Sequence, residues 1–394
     1  MRLLIATESN APSGGIQTYL QTLLPELVAR GHQVALLVAR REAAPHDSID
    51  PQNVCEHVWD VSDGKQSGNW QACAAWRPAC VLLHGMNNVH AEECLTSLFP
   101  AVWFAHGFSG SCVSGTKMHA WPHAVPCERR FGTACLALYY PRRCGGLHPL
   151  TALHDFQVVA RRHAVMARCR CVLVASRFMQ QEYQREGFPA VEVLPYPPTL
   201  VTPPRFAAPV ATPHRLVFMG RLTPLKGVAL LLRALPGAAA RLGRPLFLQV
   251  AGSGPELGNL QRLARALAVP AEFCGQLSRA ACASLLDAAH LLVVPSLWPE
   301  PFGLVGVEAA GRGVPAVAFD VGGIRDWLLE GESGELTATL TAESFCAAMV
   351  RALDSPSHYQ HLCAGARRSA ERFTLAAHLD SLDALLERHL QYSR

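Results

Sequence analysis

Short apolar runs alternate with amphipathic stretches from the first residue onward, the pattern of parallel strands joined by crossover helices. The first unit reads as a strand over Arg2 to Ala6, a loop over Thr7 to Gly15, a helix over Ile16 to Arg30 stopped by Gly31, and a second strand over Gln33 to Val38. Cys80 to Leu83, Ala101 to Ala105, Cys171 to Ala175 and Val191 to Leu194 read as further strands, so residues 1–194 predict one doubly wound sheet. Seven prolines then fall between Pro195 and Pro213, which neither a helix nor a central strand absorbs, and the stretch reads as a linker.

The alternation restarts over residues 214–373, with strands at Arg215 to Gly220, Phe247 to Ala251, Ala271 to Cys274, Leu291 to Pro295 and Pro315 to Phe319. Leu375, Leu379, Leu382, Leu385, Leu386 and Leu390 recur at helical spacing and predict a terminal helix over residues 374–394, returning to the first domain. The fold class expected is therefore α/β, two Rossmann-like parallel-sheet domains facing across a cleft, with ligands at the carboxyl ends of the strands.

Composition narrows the reading. Half of the 394 residues are apolar and 17% are charged, which excludes wholesale disorder. A formal charge of +4 is small for this length and asks for no nucleic acid. No apolar run approaches the roughly 18 residues that span a bilayer, and Glu8 interrupts the opening run before a signal-peptide core forms, so a soluble cytoplasmic protein is expected. Ten of the fourteen cysteines lie between Cys55 and Cys171, and reduced thiols are the expectation in that compartment.

Three segments of the second half converge on one kind of ligand. Gly220-Arg221-Leu222-Thr223-Pro224-Leu225-Lys226-Gly227 follows a strand and precedes a helix, which sets two cations on a loop at the sheet's carboxyl edge, where an anion fits. Gly252, Ser253, Gly254 and Pro255 end another strand in a turn that lets a ligand approach the backbone. Glu300 and Glu308 are separated by seven residues, the first in a loop, the second about one turn inside a helix whose first N–H groups, near Gly303 and Leu304, suit a phosphate. Carboxylates beside phosphate must face something neutral, and the hydroxyls of a sugar and a ribose are the natural partners.

These residues carry a resemblance. The Gly-Arg-x4-Lys-Gly loop, the Gly252-Ser253-Gly254-Pro255 turn and the Glu-x7-Glu segment, with Gly14-Gly15, Val174-Ala175-Ser176-Arg177 and Gly322-Gly323 in the same order, resemble the retaining glycosyltransferases of the family four group, whose fold is called GT-B. The resemblance implies a nucleotide-sugar donor and a hydroxyl acceptor, in bacterial glycan synthesis. Arg221 and Lys226 would bind the donor diphosphate, Glu300 the transferred sugar, and Glu308 the ribose. Phe302, Gly303 and Leu304 would add backbone contacts, Cys274, Gly275 and Gln276 would hold the base, and Gly14 and Gly15 would approach from the first domain. His106 would face the reaction centre. A hydrogen-bonded core histidine is the alternative for His106, and for His84, which follows its own strand in the same manner.

No Asp-x-Asp occurs, which leaves no support for metal-held diphosphate; neither metal nor other cofactor is expected. Gly-x-Gly-x-x-Gly is absent from the first loop, which argues against a nicotinamide enzyme. A GT-B epimerase, a phosphorylase or a non-catalytic sugar-nucleotide binder stay open as alternatives. A phosphorylase would need a pyridoxal phosphate lysine, and Lys65, Lys117 and Lys226 are the only lysines.

The segment from Ser111 to Cys144 departs from a simple crossover. Cys112, Cys127, Cys135 and Cys144 with His119 and His123 raise a structural zinc site, against which stands the lack of any Cys-x2-Cys pair; an acceptor-side loop is the preferred reading. Nine arginines and one acid, Asp155, lie between Arg129 and Arg177. They read either as solvated surface or as a face for an anionic acceptor, a lipid-linked one included, or for the inner face of an anionic membrane.

Overall fold

The computed structural model describes residues 1–10, 15–42, 50–61, 68–146, 148–200 and 214–391. The chain divides into two units, Met1–Pro195 with His378–Arg394, and Tyr196–Ala377.

Unit 1 carries strands β1 (Arg2–Ser9), β2 (Gln33–Arg40), β3 (His57–Asp60), β4 (Cys80–Leu83) and β5 (Ala101–Ala105), a two-stranded ribbon of β6 (Met118–His119) and β7 (Val125–Pro126), then β8 (Cys171–Val174) and β9 (Val191–Val193). The main sheet runs β3-β2-β1-β4-β5-β8-β9, every neighbouring pair parallel. Strand order reverses between β1 and β4, so both emerge at the switch point of a doubly wound sheet. Leu3, Leu4, Ile5 and Ala6 are wholly buried, as are all four residues of β4, because helices cover both faces of a parallel sheet and leave no polar side.

Local chemistry starts the helices. The side chain of Ser176 accepts from Met179 N at 3.2 Å and caps Arg177–Arg185, satisfying one of the orphan donors at a helix start. Thr374 Oγ1 accepts from Ala377 N at 3.1 Å beside the start of the terminal helix, Leu375–Gln391. From His378 onward that helix belongs to unit 1, where Leu379, Leu382, Leu385 and Leu386 are buried and Asp380 and Asp383 pair with Arg30 at 2.7 and 3.1 Å.

Unit 2 repeats the plan with β10 (His214–Met219), β11 (Leu246–Ala251), β12 (Ala271–Gly275), β13 (Leu291–Val294), β14 (Ala316–Phe319) and β15 (Gly334–Thr337). The order is β12-β11-β10-β13-β14-β15, all parallel, with the switch point between β10 and β13. Its core centres on Leu216, Phe218, Val250, Val293, Val317 and Phe319 against Leu231, Leu235, Phe345 and Met349 of the covering helices.

Strands β3 and β15 and the ribbon had no counterpart in the hydropathy pattern. β15 escapes it because Glu335 is buried there, its carboxylate held by Arg351 at 2.7 Å and His358 at 2.9 Å, so an acid interrupts the apolar run of this edge strand. Of the proline-rich stretch, Tyr196–Leu200 packs on unit 2, with the Tyr196 ring 5.7 Å from that of Phe302; residues 201–213 lie outside the described residues. Among the described residues no helix is long and apolar enough to cross a membrane.

Candidate functional site

The loop after β10 is stitched to the turn after β11. Gly220 N donates to Ala251 O at 3.0 Å and Leu222 N donates to Ser253 O at 2.9 Å, while Leu222 itself is fully buried. A side chain at Gly252 would stand 1.9 Å from Gly220 O, so glycine is what lets the two backbones meet. Pro224–Lys226 forms one 3-10 turn ending at Gly227, whose φ of +68° and whose hypothetical Cβ, 1.8 Å from Pro295 O, both demand glycine. This contact locks the β10 loop to the end of β13, so Gly227→Ala should destabilise the chain by about 3 kcal/mol or more and disrupt the loop. Urea denaturation checks it; an unchanged midpoint would refute the lock.

Across the switch point, the loop after β13 supplies the partner charge. Lys226 Nζ donates to Glu300 Oε1 at 2.6 Å, and Ser296 Oγ donates to the same oxygen. The ammonium also stands 5.3 Å from the centre of the Trp298 ring. Glu300 is nearly sealed at 6% side-chain exposure, against 25% for Lys226, so the pair is a buried carboxylate held by a half-accessible cation. Gly323 N donates to Glu300 O at 2.7 Å, and a Cβ on Gly322 would strike that oxygen at 2.2 Å, so the Gly322-Gly323 turn clamps the glutamate's backbone. Arg221 is exposed and forms no ion pair among the described residues.

Glu308 is placed differently. It lies in the short helix Leu304–Ala310, buried, and accepts from Thr199 Oγ1 at 2.6 Å. Burial pushes its carboxyl up, against the hydrogen bonds from Thr199 and the charges of Arg279 and Arg312. Among the described residues no hydrogen bond or ion pair joins it to Lys226 or Glu300. Gly303, at φ +90°, starts the helix, with Leu304 its first residue; the Phe302 carbonyl accepts from Trp327 Nε1 at 2.6 Å and its ring is buried. At the sheet edge, Gly252 N donates to Gly275 O at 2.7 Å, which brings the Gly252–Gly254 turn beside Cys274; Gln276 follows, exposed. Burial raises the Cys274 thiol, with Glu272 adding to it.

In unit 1, His84 leaves β4 at the switch point and His106 leaves β5 beside it, and one hydrogen bond of 2.7 Å joins His84 Nδ1 to His106 Nε2. Tyr19 packs on both rings, and its hydroxyl bonds His378 Nε2 at 2.8 Å; His378 Nδ1 in turn donates to Pro195 O at 2.7 Å. Burial holds His106 down at about 3 and His378 at about 4, and holds His84 well below its ordinary range with help from the two other rings. Gly15 opens the first helix with open space around its Cα; Gly14 lies outside the described residues.

The structure thus gathers Lys226 and Glu300, and links Gly252, Gly254 and Cys274 to the Arg221 loop through Gly220 and Leu222. Sequence reasoning missed Ser296 and Trp298, whose only signal was a small polar and an aromatic residue just before Glu300. It also missed Trp327 and Thr199, which carry no local signal, and the Tyr19–His378 link, hidden because a lone histidine in a helical repeat looks like surface. Cys112, Cys127, Cys135 and Cys144 line one cavity with Lys117, His119 and Arg129. Among the described residues no group of three or more His, Cys, Asp or Glu side chains is arranged to hold a metal ion.

The family model described as "Glycosyl transferases group 1" matches residues 205–369. The D-inositol 3-phosphate glycosyltransferase of Rhodococcus erythropolis is 35% identical over 176 residues, 42% of this chain and 39% of that protein. The glycogen synthase of Mycobacterium tuberculosis is 35% identical over 167 residues, 41% of this chain and 40% of that protein. The chain spans about two-fifths of the length of these relatives. Among solved structures, sucrose-phosphate synthase from Thermosynechococcus elongatus superposes with a TM-score of 0.72 at 19% identity, covering 100% of both chains. Anabaena HepE in complex with UDP-glucose gives 0.68 at 17% identity, covering 98% of this chain and 100% of that one. Residues 205–369, under half of the chain, match the glycosyl transferases group 1 model, and the two parallel Rossmann-like sheets share the GT-B fold of these solved structures.

Proposed function

We propose that the chain transfers a sugar from a nucleotide-sugar donor to an acceptor hydroxyl with retention of configuration and without a metal ion. The observation that carries this reading is the Lys226–Glu300–Ser296 cluster, set at the carboxyl ends of the two strands that flank the switch point of unit 2. Arg221 and Lys226 neutralise the donor diphosphate. Glu300, both of whose side-chain hydrogen bonds fall on Oε1, turns Oε2 to hydroxyls of the transferred sugar. The Gly252–Gly254 turn admits the nucleotide, Cys274, Gly275 and Gln276 border the base, and Gly303 and Leu304 add backbone N–H groups. Glu308 is assigned to the ribose, for which it exchanges its bond from Thr199.

In the step itself the bond between the anomeric carbon and the departing phosphate oxygen breaks, and the acceptor oxygen bonds to that carbon on the same face. The acceptor's proton passes to the departing phosphate. The leaving diphosphate accumulates negative charge as this happens, and fixed cations stabilise it more in the transition state than in the bound donor. His106, assigned to catalysis, is kept neutral by burial and so acts through a hydrogen bond rather than a charge. Gly15 opens the first helix with no side chain of its own, which suits close approach of a ligand.

A thermal-shift panel of UDP, GDP, ADP and their sugars tests the reading, followed by transfer and hydrolysis assays with the donor that stabilises. Arg221→Ala should leave the unliganded melting temperature unchanged, since the side chain is exposed, and weaken diphosphate binding about tenfold or more. Undiminished binding in that variant would remove Arg221 from the site. A nucleotide that binds with no turnover of its sugar would favour a non-catalytic binder.

A further inference from the structure

We propose that the segment from Trp121 to Leu153 of unit 1 is a docking surface for an anionic bilayer. The inference does not rest on the proposed sugar transfer: none of its residues is assigned a role in that step. Nine large apolar side chains are exposed among the described residues, and five of them, Trp121, Val125, Tyr140, Leu150 and Leu153, fall within these 33 positions. Leu150 is 69% exposed and Trp121 51%, more than chance solvation of single side chains calls for when they stand together.

Four of them, Trp121, Tyr140, Leu150 and Leu153, are linked. Trp121 N donates to Arg142 O at 3.2 Å, and the Arg143 guanidinium lies 4.7 Å from the Trp121 ring centre. Tyr140 OH donates to His148 O at 3.0 Å, which ties it to the start of the helix Pro149–Arg168. Leu150 and Leu153 are the second and fifth residues of that helix, three positions apart and so on one face.

Charge selects the occupant. Of the arginines in this half of the chain, Arg161 and Arg162 are spent on Glu93 and Glu92, at 2.7 and 3.0 Å. Arg129, Arg130, Arg142 and Arg143 form no ion pair among the described residues, and Arg130 and Arg143 are exposed. An aromatic ring with a guanidinium against its face, beside unpaired cations and protruding leucines, matches the boundary between acyl chains and negatively charged headgroups. There apolar side chains enter, aromatics sit at headgroup level and arginines meet phosphate. A protein partner would ask for a buried apolar centre with a polar rim, whereas here cations and apolar groups interleave.

Sedimentation with vesicles of neutral phosphatidylcholine alone, and of phosphatidylcholine with phosphatidylglycerol, tests this on the full chain. Binding is expected to the anionic vesicles only and to fall with salt. Each arginine near such a surface is worth about 1 kcal/mol, roughly fivefold, so Arg142→Gln with Arg143→Gln should weaken binding about twentyfold or more. Leu150→Glu with Leu153→Glu should abolish it while the melting temperature holds, because both side chains are exposed and acids near a helix start favour the helix. No binding to either vesicle, equal binding to both, or wild-type binding by the double glutamate variant overturns the proposal. So does self-association that the same variants abolish without any vesicle binding, which would assign the face to a second copy.

Discussion

Glu300→Gln should lower the turnover of bound donor at least about a hundredfold while leaving affinity for the free nucleoside diphosphate intact or severalfold tighter. The amide keeps the size of the carboxylate and its bond from Ser296, so the Gly322-Gly323 clamp on the backbone is undisturbed. What disappears is the negative charge that now holds Lys226 at 2.6 Å. The ammonium, a quarter exposed, is released toward a diphosphate, which is why binding of the leaving group does not suffer. The sugar loses an ionised acceptor that bonds its hydroxyls most strongly as positive charge grows at the anomeric centre, and that loss falls on kcat. Steady-state kinetics at saturating donor with calorimetric titration of the diphosphate separates the two effects. Wild-type turnover would remove Glu300 from the transferring sugar, and loss of diphosphate binding would mean that the pair is structural.

Much of this architecture was written in continuous apolar runs. Leu3–Ala6 and Leu291–Val294 are inner strands of parallel sheets, covered on both faces, and such strands need no alternation to be recognised. β15 was not legible because its buried Glu335 is held by Arg351 and His358 from two successive helices, information no local window contains. The site shows the same divide. Arg221, Lys226, Glu300 and the glycines announce themselves by residue type and by position after strands, yet nothing in the spacing says that Lys226 is paired with Glu300. Nor does it say that Thr199, in the proline-rich stretch, occupies an oxygen of Glu308. Those are long-range pairings, fixed only when the sheet order brings the ends of β10 and β13 together. The four cysteines between Cys112 and Cys144 illustrate the reverse. Their spacing looked scattered, and the fold lines one cavity with all of them.

The histidine cluster of unit 1 makes stability strongly dependent on pH, and His378→Gln should flatten that dependence. His106 is held down at about 3 and His378 at about 4, chiefly by burial; His84 is also well below its ordinary value, and the three rings are linked through Tyr19 and the bond between His84 and His106. In the unfolded chain each takes up a proton near pH 6.5. Between that value and the folded ones the unfolded state therefore binds more protons, and stability rises with pH: it is complete above about 6.5 and lost on acidification toward 4. Each group contributes a slope of about 1.4 kcal/mol per pH unit, so His106 and His378 alone remove roughly 4 kcal/mol between pH 7 and 5 and His84 adds to the loss, comparable to the whole stability of a marginal domain. Glutamine at position 378 does not titrate, and it replaces a ring that bridges Tyr19 OH and Pro195 O at 2.8 and 2.7 Å. The variant should be about 1–3 kcal/mol less stable at pH 7, where imperfect hydrogen bonding is the only difference, and should lose about one third less on acidification. The two curves must then converge toward pH 5 when unfolding free energy is measured by urea titration across this range. Parallel curves would show that His378 is as readily protonated in the folded chain as in the unfolded one, and that its burial between Tyr19 and Pro195 sets no titration at all.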